Sequence, residues 1–340
     1  MRQSFRRINQ TNADTIRLIE AAAFVICLDD GRPETASERC NQFFLGDPAN
    51  RWSDKNLQFV VCENGVSALV GEHSMLDGVS ARQLHNFVNE EILEHRFDES
   101  PVNNQPLFGL HQPALDLGYE QAMSSTKLHN LVEELICATN PIVESHIDRI
   151  RTTFKAAFEP IELARFRTTT FGSAFLRSHA CPVKSGYQLV IQLACLIYYG
   201  YNPPSWETVS MARFYKGRVD WIQAMQPPAA SFCAAARDES IRPRERRRLF
   251  LKAAGVHANT MMKIARGHGF KAHLHCLLGT LNNNEPIPAL FKDAQWEATK
   301  VSSIKKVKTD CLEGMMLQET AFFMPEPDCI FVHYEVEEDG

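Results

Sequence analysis

The sequence lacks long apolar segments, an apolar leader and an excess of positive charge. No apolar run reaches the roughly 18 residues that a membrane-spanning helix needs. The basic start at residues 1–7 is not followed by the apolar stretch of a signal peptide. The net charge of −5 argues against nucleic acid as a partner. These absences predict a protein of the cytoplasm without a membrane span, with the peroxisome and the mitochondrion left open.

Paired cysteines and metal-ligand spacings are also absent. The ten cysteines are scattered, with no C-x-x-C pair and no His/Cys cluster at zinc spacing. Cys27, Cys195 and Cys276 lie in apolar runs, which predicts small core residues in a reducing compartment. We expect no metal and no permanently bound cofactor.

What is present is a core-forming composition in a chain of 340 residues, of which 44% are apolar. This length predicts two domains rather than one. The turn formers of residues 98–106 predict a linker, and we place the domain boundary shortly after it, near residue 115. Residues 1–115 then form a first domain and residues 116–340 a second.

The first candidate for catalysis lies at the end of a predicted β-hairpin. Apolar runs on both sides of Asn64-Gly65 predict two antiparallel strands, because Asn-Gly is a strong signal for a tight turn. The second strand brings His73 to its end, and Asp77 follows four residues later. An imidazole with one nitrogen held by a carboxylate is a general base near neutral pH. The alternative is a strand-end histidine whose hydrogen bonds are satisfied by a neighbour.

Two motifs give this histidine a family context. Residues 50–61, NRWSDKNLQFVV, followed by residues 71–78, GEHSMLDG, resemble the signature of the carnitine/choline acyltransferase family. The segment that begins at Arg165 and the stretch KVSSIKKVKTDC at residues 300–311 extend the resemblance. The HHxxxDG motif of wider acyltransferases and condensation domains is a rival match, but it lacks NRWxDK and usually accompanies a DFGWG-type motif, which we do not find. Both resemblances imply acyl transfer from a thioester to an alcohol.

The resemblance implies catalytic roles for three residues. His73 would deprotonate the acceptor hydroxyl, Asp77 would orient its ring, and Ser303 would stabilise the tetrahedral oxyanion. The TDC residues at 309–311 set the register for Ser303. A strand-end polar residue is the alternative for Ser303. Arg51 is expected instead to anchor a loop by pairing with a carboxylate.

The resemblance also implies an α/β, chloramphenicol-acetyltransferase-like two-domain fold, with mixed sheets flanked by helices and a site in the tunnel between the domains. The chain corresponds to roughly the second half of family members, so the N-terminal domain is expected to be incomplete. It also stops before the closing strand and long helix of the family. Either another chain supplies the missing half, or the chain is a fragment or decayed copy. The isolated chain is therefore expected to be poorly active or inactive.

Three positions at which family members recognise carnitine are altered. Trp206 stands for a tyrosine, Val219 for a threonine and Ala272 for an arginine. A carboxylate buried without its guanidinium loses a charge-assisted pair, so carnitine is a poor acceptor for this pocket. Lys271, one position away, offers at most partial compensation. Choline has no carboxylate and stays open, since Trp206 is able to stack on a quaternary nitrogen; a neutral alcohol or polyol is at least as strongly favoured.

The donor side carries fewer cations than the family pattern. Lysines that meet the coenzyme A phosphates are represented by Ser173 and Arg177, and the aspartate of an SPD motif by Lys184. We expect acyl-coenzyme A as the co-substrate, with an acyl group on a carrier protein as a second candidate. The EHSMLDG stretch is similar to the acyltransferase domains of fungal highly reducing polyketide synthases, which release products onto alcohols.

The sequence thus predicts an O-acyltransferase of secondary metabolism. It would move an acyl group from a thioester, on coenzyme A or a carrier protein, to the hydroxyl of a small alcohol other than carnitine. The expected partners are the alcohol, the thioester, and either a carrier protein or a missing N-terminal half, with no nucleic acid. The alternative is a truncated, weak or inactive remnant that acts at most as a binding module.

Overall fold

A computed structural model describes the chain in several ranges. These are residues 2–45, 47, 50–74, 76–93, 134–162, 164, 166–282, 284–294, 296, 306–311 and 329–338. Of residues 45, 93 and 306–311 it describes the backbone alone.

Helices and short strands alternate along these ranges. The helices are α1 (Arg2–Arg6), α2 (Gln10–Ala21), α3 (Ala36–Cys40), α4 (Gly78–Leu93), α5 (Pro141–Phe158), α6 (Ser173–Ser178), α7 (Val183–Tyr199), α8 (Pro227–Arg237), α9 (Pro243–Lys263) and α10 (Lys271–Gly279). Turns of π-helix follow α3 at Asn41–Leu45 and α9 at Ile264–His268, and a 3₁₀ turn covers Ala289–Lys292. The strands are β1 (Val25–Asp29), β2 (Leu57–Cys62), β3 (Ser67–Gly71), β4 (Ser205–Ser210), β5 (Val219–Gln223), β6 (Lys306–Cys311) and β7 (Cys329–Tyr334).

The chain divides into two compact units. The first contains residues 1–76 and 83–163, and the second contains residues 77–82 and 164–340. The predicted boundary near residue 115 lies outside the described residues, so it stays a prediction. The prediction of an α/β chain with mixed sheets is confirmed, because each unit contains a small sheet with both parallel and antiparallel pairs.

The sheet of the first unit has the order β1-β2-β3. Strands β2 and β3 pair antiparallel, and Gly65 in the turn between them has a φ of +80°, a conformation that favours glycine. The hairpin predicted from Asn64-Gly65 is therefore confirmed. Strand β1 pairs parallel to β2, with Val25 opposite Gln58. Ile26 and Leu28 of β1 are 62% and 82% exposed, so one face of this sheet presents apolar side chains.

The NRWxDK motif anchors the loop before β2. The Arg51 guanidinium donates to the carboxylate of Asp29 at the end of β1, with an Nη2–Oδ2 distance of 2.7 Å. The Lys55 ammonium donates to the carbonyl oxygens of Glu20 and Ala22 at the C-terminus of α2, where unpaired carbonyls attract a cation. The predicted structural role of Arg51 is thus confirmed. A cleft of about 460 Å³ adjoins this anchor, lined in part by Arg51.

The sheet of the second unit has the order β5-β4-β6-β7. Strand β4 pairs antiparallel to β5 and parallel to β6, and β6 pairs parallel to β7. Along β4, Ser205, Glu207 and Val209 are buried, whereas Trp206 and Thr208 are partly exposed. This alternation assigns one face of the sheet to the core and leaves Trp206 on the other face.

Helices α7, α8 and α9 pack into the main core of the second unit, which includes Leu189, Phe232 and Ala254. The almost continuously apolar sequence of α7 predicts a helix that is buried on several sides. This prediction holds in part: Leu189 packs against α8 and α9, and Gln192 accepts a hydrogen bond from Ser205 of β4. Ile197 and Tyr198, however, are 63% and 81% exposed. The predicted burial of Cys195 is confirmed, whereas Cys27 is only partly buried and the prediction for Cys276 is wrong, since its side chain is exposed.

Candidate active site

His73 lies in a turn two residues beyond the end of β3, and its side chain is exposed. The carboxylate of Glu72 accepts hydrogen bonds from the Ser74 backbone N–H at 2.9 Å and from the Ser74 hydroxyl at 2.5 Å. These bonds stabilise the turn that carries the imidazole. The turn that follows the hairpin therefore leaves His73 exposed, and its catalytic role stays a prediction.

Asp77, which immediately precedes α4, forms a two-pronged ion pair with Arg218. The guanidinium Nε lies 3.1 Å from Oδ2 and Nη2 lies 2.8 Å from Oδ1. The Asp77 side chain is 14% exposed and that of Arg218 is 43% exposed. A bidentate pair of this kind fixes both the position and the plane of the carboxylate. Arg218 therefore holds the carboxylate that we expected to orient His73.

Ser303 lies outside the described residues, so its oxyanion role stays a prediction. The TDC residues that set its register, 309–311, belong to β6. Through Thr309, β6 pairs with Glu207 of β4.

On the donor side, Ser173 is buried and begins α6. Its backbone N–H donates to the carbonyl of Glu337 at 2.8 Å, and that of Ala174 donates to the carbonyl of Glu338 at 3.2 Å. The exposed Arg177 donates to the Ser173 hydroxyl at 2.9 Å. The structure thus brings Ser173 and Arg177 together, but the chain's own carbonyls occupy the first N–H groups of the helix.

Lys184 contacts a buried acid instead of lying open to solvent. Its ammonium is 3.3 Å from Oε1 of Glu207, whose side chain is fully buried. The Tyr334 hydroxyl donates to the same oxygen at 3.0 Å. On the other side, His257 Nε2 is 3.2 Å from Glu207 Oε2, and its Nδ1 is 3.0 Å from the Ser185 hydroxyl. Glu207 therefore compensates the positive charge that Lys184 brings to this region.

The expected acceptor residues lie near the partly exposed face of the second sheet. Trp206 and Val219 are partly exposed residues of β4 and β5. Ala272 is the second residue of α10, and its backbone N–H donates to Oδ1 of Asp220 at 3.0 Å. The Lys271 ammonium lies 3.2 Å from the centroid of the Trp206 ring. A lysine side chain thus covers the ring that we expected to stack on a quaternary nitrogen.

The start of α10 depends on a close approach to β5. Asp220 is 4% exposed and also accepts from the backbone N–H of Trp221 at 2.8 Å. A Cβ on Gly269 would lie 1.9 Å from Asp220 Oδ2, so glycine is required at this position. Asp220 and Gly269 therefore position Lys271 and Ala272 over the sheet.

Sequence reasoning missed the contacts of the expected site residues. It did not find the roles of Arg218, Glu207, His257 and Trp221, nor the contact of Lys271 with the Trp206 ring. Asp77 and Arg218 are separated by 141 positions, and Ser185 and His257 by 72. No spacing rule links residues so far apart. One signal was available: Lys184 replaces an aspartate of the family motif. A lysine at an acidic position predicts a compensating acid nearby.

The described part of the chain contains no group of three or more His, Cys, Asp or Glu side chains that could hold a metal ion. No helix of the described residues combines the length and the apolar character that crossing a bilayer demands.

Comparison with known proteins places the chain in a family. The sequence profile of Choline/Carnitine o-acyltransferase matches residues 1–340. The chain is 32% identical over 353 aligned residues to the highly reducing polyketide synthase sdnO of Sordaria araneosa, covering 99% of this chain and 11% of the synthase. It is 25% identical to the mitochondrial carnitine O-acetyltransferase of Saccharomyces cerevisiae, covering 88% of this chain and 43% of that protein.

The human carnitine O-acetyltransferase is 24% identical, with 89% of this chain and 47% of that protein covered. The chain thus spans less than half the length of these relatives. Since the family profile covers every residue from 1 to 340, the chain belongs to the choline/carnitine O-acyltransferase family.

Proposed function

We propose that the chain transfers an acyl group from a thioester to the hydroxyl of a small alcohol other than carnitine. The observation that carries this proposal is the family match over residues 1–340, within which His73 is exposed just beyond the β-hairpin. Two units that each contain a small mixed sheet also support a chloramphenicol-acetyltransferase-like fold for the chain.

In the proposed reaction, His73 accepts the proton of the acceptor hydroxyl while the alcohol oxygen attacks the thioester carbonyl carbon. The tetrahedral oxyanion accepts a hydrogen bond from the Ser303 hydroxyl, and the C–S bond then breaks. The proton held by His73 passes to the departing thiolate, so the imidazole is regenerated as the ester leaves. General base catalysis of this kind contributes about 10²–10⁴-fold to the rate.

Asp77 is proposed to hold one ring nitrogen of His73, and Arg218 is proposed to act through Asp77. Arg218 is a positioning residue in this scheme, because its contact is with the carboxylate and not with the substrate. Its two hydrogen bonds fix the position and the plane of the Asp77 carboxylate.

Replacing Arg218 by methionine is therefore expected to lower kcat about fivefold with little change in KM. A partly exposed pair contributes roughly 1 kcal/mol, which corresponds to about fivefold in rate. Steady-state kinetics of Arg218→Met and Arg218→Lys measure this, and the lysine variant should recover part of the loss by restoring the charge. The matched control is Arg213→Met, which removes an exposed guanidinium from the same loop. Equal losses in Arg218→Met and Arg213→Met would contradict the assignment.

For the donor, we propose an acyl thioester on coenzyme A or on a carrier protein. The similarity to the highly reducing polyketide synthase of Sordaria araneosa supports the carrier protein. The pairing of Lys184 with Glu207 and the capped start of α6 also favour a donor with few phosphates, since Arg177 is the remaining cation among the expected donor residues.

The acceptor is proposed to be neutral, because the carnitine-reading positions hold Trp206, Val219 and Ala272. A hydrogen bond to a charged group contributes roughly 1.5–3 kcal/mol, so losing the guanidinium weakens carnitine recognition about 10- to 100-fold.

A panel assay tests this function. The 340-residue chain is incubated with acyl-coenzyme A or acyl-pantetheine and with carnitine, choline or neutral alcohols, and ester products are identified by mass spectrometry. We expect a neutral alcohol to give at least about tenfold more ester than carnitine, for the reason given above. Faster transfer to carnitine would overturn the acceptor proposal. If none of the acceptors gave an ester, the result would favour the alternative of an inactive binding module.

A further inference from the structure

The Lys271 ammonium lies over two neighbouring tryptophan rings on the partly exposed face of the second sheet. Its ammonium is 3.2 Å from the centroid of Trp206 and 5.5 Å from the centroid of Trp221. Both distances are within the roughly 6 Å over which an aromatic face attracts a cation. One ammonium therefore contacts two indole faces at once.

The sheet register places the two indoles side by side. Thr208 pairs with Trp221, and Trp206, two residues earlier on β4, pairs with Gln223. Trp206 and Trp221 are therefore diagonal neighbours on one face, at a spacing that large side chains bridge. Two adjacent indole faces form the kind of aromatic surface that recognises quaternary ammonium groups.

The backbone holds Lys271 in this place. It is the first residue of α10, and the next residue, Ala272, donates its N–H to the buried Asp220 of β5. Asp220 and Trp221 are adjacent on β5, so the same strand supplies both the anchor of α10 and one of the two rings. The fold thus sets the point from which the Lys271 side chain reaches the two rings.

We propose that Lys271 sets the charge preference of the acceptor site. Its ammonium fills the aromatic pair Trp206–Trp221, so the site rejects alcohols that carry a quaternary nitrogen. The rejection has two causes: the ring faces are occupied, and a second cation beside the ammonium meets like-charge repulsion. This inference rests on the proposed function for the identity of the site, and it narrows the acceptor to an alcohol without a positive charge.

The test is choline binding to the chain in the absence of any thioester. Calorimetric titration and tryptophan fluorescence are measured for the wild type and for Lys271→Ala. Removing the ammonium is expected to lower the dissociation constant for choline about 2- to 30-fold, the range between an exposed and a desolvated cation–π contact. Lys271→Gln removes the charge and keeps a side chain with a polar end. It is measured beside Lys271→Ala so that a folding defect in one variant does not decide the result.

Matched controls distinguish the effect of the lysine charge from the effect of the space that its side chain occupies. The neutral isostere 3,3-dimethylbutan-1-ol should bind the wild type and Lys271→Ala about equally. The double variant Lys271→Ala/Trp206→Leu should lose the gained choline affinity. Lys216→Ala removes an ammonium 5.4 Å from the Tyr215 ring, outside this site, and should leave choline binding unchanged.

Equal choline affinity in the wild type and both Lys271 variants would overturn the inference. An equal gain in affinity for the neutral isostere would also overturn it, because the variants would then act by freeing space and not by removing a charge. If the chain transfers no acyl group but Lys271→Ala gains choline affinity, the proposed function fails and the charge effect stands. If transfer to neutral alcohols occurs without any such gain, this inference alone fails.

Discussion

Replacing His73 by alanine is expected to lower the rate of acyl transfer about 10²- to 10⁴-fold, the range that a positioned general base contributes. Without the imidazole, the acceptor hydroxyl has no group to take its proton as it attacks the thioester. The loss should appear in kcat and not in KM, since His73 is exposed in a turn and is proposed to act in the transition state. Ester formation from acyl-pantetheine and a neutral alcohol measures the effect.

The matched control is His268→Ala, which removes another exposed histidine of the chain. This variant should keep the wild-type rate. A His73→Ala variant that melts at the wild-type temperature and retains its activity would remove the imidazole from the mechanism.

The second large effect concerns stability. Replacing Asp29 by asparagine is expected to lower the free energy of unfolding by about 3–5 kcal/mol at neutral pH, because it leaves the Arg51 guanidinium buried without its counter-charge. The side chains of Asp29 and Arg51 are 1% and 11% exposed. Urea unfolding of the full chain, followed by a signal from the first unit, measures the difference in the free energy of unfolding.

This effect depends on pH in a defined direction. The hydrogen bond from Arg51 lowers the pKa of the Asp29 carboxyl, and the amides of Gln42 and Asn50 lower it further. A carboxyl whose pKa is lower in the folded state contributes its full stability above its unfolded pKa of about 3.9. That contribution is lost as the pH falls below this value through the folded pKa. The wild type should therefore lose its advantage over Asp29→Asn in acid.

The exposed neighbour Asp30 supplies the control. Asp30→Asn should change the free energy of unfolding by less than about 0.5 kcal/mol, as surface substitutions usually do. If Asp29→Asn and Asp30→Asn proved equally stable, the ion pair would not hold the NRWxDK loop.

The elements that the sequence predicted well are those with local signals. The turn at Asn64-Gly65 needs a positive φ that only a few residues adopt, so the hairpin and the exposed position of His73 followed from short-range rules. The pairing of Arg51 with a carboxylate was predictable in kind, because a motif arginine in a loop needs an acid. Its partner Asp29, 22 residues earlier, was not predictable.

The residues around the expected ligands were beyond sequence reasoning because packing decides them. The apolar composition of α7 says nothing about how many of its faces find a partner, and Tyr198 is 81% exposed. Likewise, nothing in the sequence shows that Lys271 lies on the ring of Trp206, 65 positions earlier. That contact depends on the strand register and on the anchor that Asp220 provides to α10.

The most direct test of the account is a single-turnover experiment with the 340-residue chain, an acyl-pantetheine thioester and a neutral alcohol, followed by mass spectrometry of both products. The account predicts that ester and free thiol appear in equal amounts with the wild type, and that His73→Ala forms at most about 1% as much of either in the same time. Thioester consumption without ester, or equal ester yields from the two proteins, would contradict acyl transfer to a hydroxyl activated by His73.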